Sequence, residues 1–192
     1  MSDAKAKIRK GTLLNRRLMK PDVWQERVAL AENLLLKFVE QNQIRSCHLF
    51  LPIKRNNEFD SWPVVNRLHE NGVKVFVSTS DFESFTMTHF EYSDKLKFQS
   101  NRFDIPEPIG NQSADISGVQ MILIPLLAAD KRGFRIGYGK GFYDRVLADL
   151  PSEILKVGIN LAPLFDRFGF EEEHDIRLDY CVTPHKIYDC HD

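Results

Sequence analysis

Three shortages narrow what this chain can be. There are only three cysteines, Cys47, Cys181 and Cys190, far apart and with no C-x-x-C pair. That argues against a zinc knuckle, a dithiol redox motif or a disulfide framework, and it makes a reducing, cytoplasmic setting the expectation. Cys47 and Cys181 lie in apolar runs and are expected to be buried, inert thiols. The formal net charge is only −1, so no global field draws in nucleic acid. No run approaches the roughly 18 apolar residues of a membrane span, and no apolar stretch of signal-peptide length follows the basic start. Repeats and low-complexity tracts are also missing. No nucleic-acid or membrane partner is expected, and a monomer is the default.

What remains has ordinary globular composition: 192 residues, 43% hydrophobic and 28% charged. The length fits one domain, 1–192, with a sizeable core. Charge is unevenly spread. Lys5, Lys7, Arg9, Lys10, Arg16, Arg17 and Lys20 face one early acid, Asp3. At this point a solvated helix face, an anion-binding helix, a nucleic-acid arm and a transit peptide all remain open.

Residues 4–19 read as a basic helix with a loose apolar stripe of Ile8, Leu14 and Leu18. Pro21 marks a new start. A second helix runs from Val23 to about Gln41, with Val28, Ala31, Leu35 and Phe38 at helical spacing. Cys47 to Ile53 reads as a buried strand, Ser61 to Asn71 as a helix and Val73 to Ser78 as a strand. Thr86 to Tyr92 alternates like a half-exposed strand. Phe103 to Gly110, with Pro106 and Pro108, is expected to be an extended loop. Val119 to Leu127 is the most hydrophobic segment and fits a central strand. Phe142 to Leu150 reads as a helix, and Leu155 to Leu161 and Tyr180 to Thr183 as strands. The alternation predicts an α/β three-layer sandwich, a mainly parallel sheet flanked by helices, Rossmann-like but without a dinucleotide fingerprint. Ligands in such sheets bind beyond the carboxyl ends of the strands.

The loop after the central strand reads D-K-R-G-F-R-I-G-Y-G-K-G-F-Y-D, from Asp130 to Asp144. Gly133, Gly137, Gly139 and Gly141 allow close backbone approach, and successive N–H groups in such a loop form an anion nest. The helix starting near Phe142 directs its positive end at the same spot. Lys140 and Arg135 add charge. Phe134 stands where a Walker A loop needs its first glycine, and Phe142 where the dinucleotide fingerprint needs its last. The alternative is a structural turn with surface charges. Asp144 beside bound triphosphate implies a divalent cation, since Mg²⁺ is held by one or two carboxylates plus phosphate oxygens. Asp175, before a strand, is the second candidate, with Asp179 and Glu173 as alternatives.

These residues resemble the 5-formyltetrahydrofolate cyclo-ligase family, whose signature reads approximately D-x-x-G-x-R-[LI]-G-x-G-x-G-[FY]-[YF]-D. Asp130, Gly133, Arg135, Gly137, Gly139, Gly141, Tyr143 and Asp144 match it. Lys5 and Arg9 match an N-terminal K-x-x-x-R, Glu58 the family's substrate-binding glutamate, Phe103–Pro108 its folate loop, and His174-Asp175 to Thr183 its closing segment. Leu126 departs from the pattern, where many members have glycine, and the stretch between Leu51 and Glu58 is about two residues longer than usual.

The resemblance implies ATP- and Mg²⁺-dependent closure of 5-formyltetrahydrofolate to 5,10-methenyltetrahydrofolate, with release of ADP and phosphate. The reaction passes through a phosphorylated formyl group (an iminophosphate). It implies ATP contacts from Lys5, Arg9, Arg135, Gly137, Gly139, Lys140, Gly141 and Asp144, and Mg²⁺ on Asp144 and Asp175. Glu58, Phe103, Ile105, Pro106 and Tyr143 are implied substrate contacts, with Lys140, Arg135 and Tyr143 closest to the chemistry. His174 is expected to make a structural hydrogen bond. The number of glutamates on the preferred folate stays open. A regulator that binds without turnover and a nucleic-acid binder using the basic helix are the competing classes.

Overall fold

A computed structural model describes residues 3–110, 112–170 and 175–191. In chain order the chain forms α1 (Asp3–Arg17), α2 (Pro21–Gln41), β1 (Ser46–His48), α3 (Trp62–Glu70), β2 (Lys74–Asp81) and β3 (Thr86–Glu91). Next come β4 (Lys97–Ser100), β5 (Pro106–Ile109), β6 (Met121–Pro125), β7 (Ala128–Ala129), β8 (Arg135–Ile136) and α4 (Phe142–Asp149). The last three elements are β9 (Leu155–Ile159), β10 (Tyr180–Val182) and β11 (Ile187–Asp189).

The described residues build a seven-stranded sheet in the order β11-β10-β9-β6-β1-β2-β3. The five inner strands run parallel, and β3 and β11 join antiparallel at the edges. Strand β6 sits at the centre because nothing in it tolerates water. Met121, Ile122, Leu123 and Ile124 are all fully buried, each contributing roughly 1.5–3 kcal/mol. Alternation splits the core in two. Cys47, Val75, Val77, Met121 and Leu123 pack with α2 and α3 on one face. Phe76, Ile122, Ile124 and Cys181 pack with Leu147 of α4 on the other. The sheet is thus flanked on both faces, as expected. Cys47 and Cys181 are buried, with the Cys47 thiol pushed up to about 12 by desolvation.

Four local expectations are corrected. First, the expected apolar stripe of Ile8, Leu14 and Leu18 is not a buried face: Ile8 is half-buried, Leu14 is 54% exposed, and Leu18, just past the end of α1, is 71% exposed. The helix instead turns cations inward: Lys5 and Arg9 line a cleft, and Arg16 is buried. Second, the buried strand over 47–53 pairs only as far as His48. The Leu49 N–H still reaches the Phe76 carbonyl at 2.8 Å, after which the chain leaves the sheet and forms a 3-10 turn over Lys54–Asn56, followed by Asn57 at φ 46°. Third, Pro106–Ile109 is not a free loop but pairs antiparallel with Lys97–Ser100. An antiparallel ladder uses every second N–H of a strand, and the two prolines occupy alternate positions. Fourth, β7 and β8 form a small hairpin that divides the glycine segment. Gly133 belongs to its turn, where a Cβ would stand 2.4 Å from the Leu178 carbonyl oxygen. Gly133 is therefore a structural glycine.

Candidate functional site

A cleft of about 330 Å³ opens beyond the carboxyl ends of β1, β2 and β6. Its position follows from the topology, since parallel strands end there and their loops diverge. Lys5, Arg9, Glu58, Ile105, Arg135, Gly137, Gly139, Lys140, Gly141, Tyr143, Asp144 and Asp175 all line it. Phe103 and Pro106 do not. Phe103 packs at a tilt against Phe82 with ring centroids 4.2 Å apart, and Phe82 meets Phe142, which does line the cleft. Phe103 therefore backs the wall one layer out, and Pro106 is spent in the β4–β5 hairpin. That hairpin is docked on β2 by Glu107, which accepts the Ser80 N–H at 2.9 Å, and it brings Ile105 to the cleft.

The rim is a cradle of backbone and cations. Gly139 and Gly141 hold φ of 85° and 71°, a region open to glycine without strain. Arg9 Nε donates to the Gly137 carbonyl at 2.9 Å, and its guanidinium lies 3.0 Å from where a Gly139 Cβ would sit. Gly141 caps α4, so the positive end of that helix faces the cleft mouth. Lys140 is exposed at the same rim.

The rim carboxylates are paired with these cations. Asp144 accepts from Arg135 Nη2, and Asp175 lies 3.8 Å from Lys5. Arg135 feels both carboxylates, yet burial holds its pKa below the ordinary value. Among the described residues no group of three or more His, Cys, Asp and Glu side chains forms a ready metal cage. Two oxygen donors at one edge of an anion cradle nevertheless suit Mg²⁺, which keeps waters and shares phosphate oxygens. Asp179 is committed elsewhere: it accepts the Lys156 N–H at 2.7 Å and pairs with Lys156 Nζ at 2.9 Å. Glu173 and His174 lie outside the described residues.

The floor is a buried charge network that the sequence did not reveal. Glu58 is 3% exposed and Arg16 8%, and they pair at 3.8 Å. Glu58 accepts the Ile53 N–H at 2.8 Å and the Tyr138 hydroxyl at 2.8 Å. Arg16 donates to the carbonyls of Asn56 and Leu126, both at 3.0 Å, and to the Tyr138 oxygen. The short turn over Lys54–Asn56 presents the Asn56 carbonyl to Arg16, and Ile53 at its start offers its N–H to Glu58. Desolvation raises the Glu58 pKa, opposed by Arg16 and the two hydrogen bonds. Burial likewise pushes the Tyr138 and Tyr143 phenols well above their ordinary value. Arg16 was legible in principle: it lies 11 residues from Lys5, three helical turns on the same face.

A second unforeseen group lies deeper. His48 on β1, Ser78 on β2 and His89 on β3 form a hydrogen-bonded row, with Nε2···Oγ 2.6 Å and Oγ···Nδ1 2.7 Å. His48 and Ser78 line the cleft, and the His48 and Tyr143 rings meet edge-on at 6.3 Å.

Comparison with known proteins places this arrangement. The model of the 5-formyltetrahydrofolate cyclo-ligase family matches residues 1–184. A 5-formyltetrahydrofolate cyclo-ligase of Mycoplasma genitalium is 43% identical over 161 residues, 80% of this chain and 95% of that one. The Escherichia coli K12 protein of the same name is 27% identical over 179 residues, 91% and 97% of the two chains. The solved 5,10-methenyltetrahydrofolate synthetase of Aquifex aeolicus superposes with a TM-score of 0.79 at 25% identity, covering 98% of this chain and 93% of that one. The Mycoplasma pneumoniae synthetase shares the fold, with a TM-score of 0.73 at 20% identity over 95% and 99%. The chain belongs to the 5-formyltetrahydrofolate cyclo-ligase family of enzymes.

Proposed function

We propose that this chain closes 5-formyltetrahydrofolate to 5,10-methenyltetrahydrofolate at the expense of ATP, with Mg²⁺, releasing ADP and phosphate. The observation that carries the reading is a single cleft with a glycine-and-cation cradle at its mouth and a buried, hydrogen-bonded carboxylate at its floor. The first suits a triphosphate; the second suits the amino edge of a pterin, where two N–H donors meet one carboxylate.

A formamide oxygen is a poor leaving group, and ATP supplies the phosphoryl group that turns it into a good one, as an iminophosphate. Such transfer rests mainly on positioning and on offsetting charge. Gly137, Gly139 and Gly141 offer backbone N–H groups, Lys140 and Arg135 sit nearest the transferred group, and Lys5 and Arg9 clamp the nucleotide from α1. Asp144 and Asp175 would hold Mg²⁺, whose charge would offset the charge developing on the transferred group. Glu58 fixes the pterin, Ile105 lines the apolar wall, Phe103 supports that wall from behind, and Tyr143 stands near the formyl group and N10.

ATP cleavage tests the reading. ADP formation is expected only when 5-formyltetrahydrofolate and Mg²⁺ are both present, one ADP per folate consumed. ADP formed without folate, or no ADP with all three, contradicts it. Binding of both ligands without cleavage would leave a folate-sensing regulator instead.

A further inference from the structure

Ring closure creates a proton that the residues assigned so far do not remove. When N10 attacks the activated formyl carbon, the new C–N bond leaves N10 positively charged and still carrying its hydrogen. That proton must go before the C–O bond breaks and phosphate departs with its electron pair, leaving the methenyl bridge. Lys140, Arg135, Lys5 and Arg9 are cations, and Glu58 is engaged at the floor by Tyr138 and the Ile53 N–H.

We propose that the row His48–Ser78–His89 accepts the N10 proton at His48 Nδ1 and passes it across the sheet to solvent. This rests on the cyclo-ligase reading above. Four observations support it. His48 is fully buried yet lines the cleft, and its Nδ1 has no hydrogen-bond partner among the described residues. Leaving a buried ring nitrogen unpaired is costly, and a role that requires a bare acceptor accounts for its persistence. The row is continuous, at 2.6 and 2.7 Å. It is also directional. His48 lies beside Tyr143 in the cleft, while His89, on the edge strand, is only half-buried and feels Asp115.

The row has two hydrogen-bond polarities, and passage of one proton converts one to the other. At first Nε2–H of His48 donates to Ser78 Oγ, and the Ser78 hydroxyl donates to His89 Nδ1, leaving His48 Nδ1 a bare acceptor. The N10 proton enters at Nδ1, the Nε2 proton moves to Ser78, the Ser78 proton moves to His89 Nδ1, and His89 Nε2–H is lost to solvent. The His48 ring never holds a lasting charge. Burial keeps its pKa down at about 3, which still suffices, because an aryl amine nitrogen that has just formed a fourth bond is a strong acid. Tyr143 on α4, held protonated by burial, meets the His48 ring, and Asp115 favours a transient positive charge on His89.

The test is single-turnover kinetics on Ser78→Ala and Ser78→Thr, following ADP and methenyl product separately. Closure relative to ADP formation is expected to fall roughly 100-fold or more in Ser78→Ala. Ser78→Thr, which keeps the hydroxyl, should restore most of it. Wild-type closure should slow in deuterated water with more than one proton in flight, and Ser78→Ala should lose that multiplicity. Closure at the wild-type rate in Ser78→Ala, or equal loss of closure and ADP formation, overturns the relay. If wild type itself forms no methenyl product, the function fails and the relay fails with it.

Discussion

The Tyr138 hydroxyl donates to Glu58 Oε1 at 2.8 Å, while Arg16 holds the same carboxylate from 3.8 Å. Tyr138 lies between Gly137 and Gly139, so one residue of the glycine loop reaches from the glycine-and-cation rim to the carboxylate floor. Tyr138→Phe removes one hydrogen bond to a buried charge. It is expected to cost about 1.5–3 kcal/mol in chemical denaturation and to raise KM for the folate more than KM for ATP.

Arg16→Met should be harsher. It leaves Glu58 buried without its counter-charge, a loss of about 3–5 kcal/mol. Arg16→Met combined with Glu58→Gln should recover part of that stability, but not folate binding. Denaturation and folate titration of the single and double variants would show it.

Binding of the folate should depend on pH through Glu58. Its pKa is raised above the ordinary 4.5, so as pH falls the carboxylate takes a proton earlier than a surface glutamate does. Affinity for the pterin is therefore full at neutral pH and declines on acidification, in a window above the ordinary glutamate range. Glu58→Gln should bind more weakly and show a flatter profile. Folate Kd measured across pH in both proteins checks this.

Stability should depend on pH through His48, in the opposite direction from a surface histidine with a carboxylate partner. Its folded pKa is about 3 against 6.5. Between those values the unfolded chain binds more protons, so this contribution is complete above 6.5 and lost as pH falls toward 3. The slope is up to about 1.4 kcal/mol per pH unit for one proton. His48→Gln should flatten the curve of unfolding free energy against pH by that amount.

The cradle can be separated from the fold at Gly137. A Cβ there meets nothing within 4 Å, so Gly137→Ala should change stability by less than about 0.5 kcal/mol while crowding the bound phosphate. KM for ATP is expected to rise at least tenfold, with KM for the folate little changed. Gly139→Ala should affect both, because its Cβ would press on Arg9 at a φ of 85°. Thermal melts beside initial rates distinguish the two cases.

The long periodic helix α2, the continuously apolar run that holds β6, and the glycine loop with its neighbouring charges were readable because their information is local. The short pieces were not. Strands β7 and β8 have two residues each, too few to show a period, and the β4–β5 hairpin was concealed by prolines that normally exclude strand. Helix α1 misled because Leu14 and Leu18 imitate a buried stripe, while its inward face is cationic. His48, Ser78 and His89 come from three different strands and meet only through the sheet register, which pairs Phe76 with His48 and Ser78 with His89. No spacing in the chain announces that. Tyr138 was hidden in a variable position of the loop pattern, and its partners Glu58 and Arg16 lie 80 and 122 residues away.

The most direct test is near-ultraviolet absorbance of the purified protein with 5-formyltetrahydrofolate, ATP and Mg²⁺, since the methenyl product absorbs there and the substrate does not. A rise is predicted that needs all three components and is lost in Lys140→Ala and in Asp144→Asn. No rise from the wild-type protein, or a rise that persists without ATP, would contradict the account.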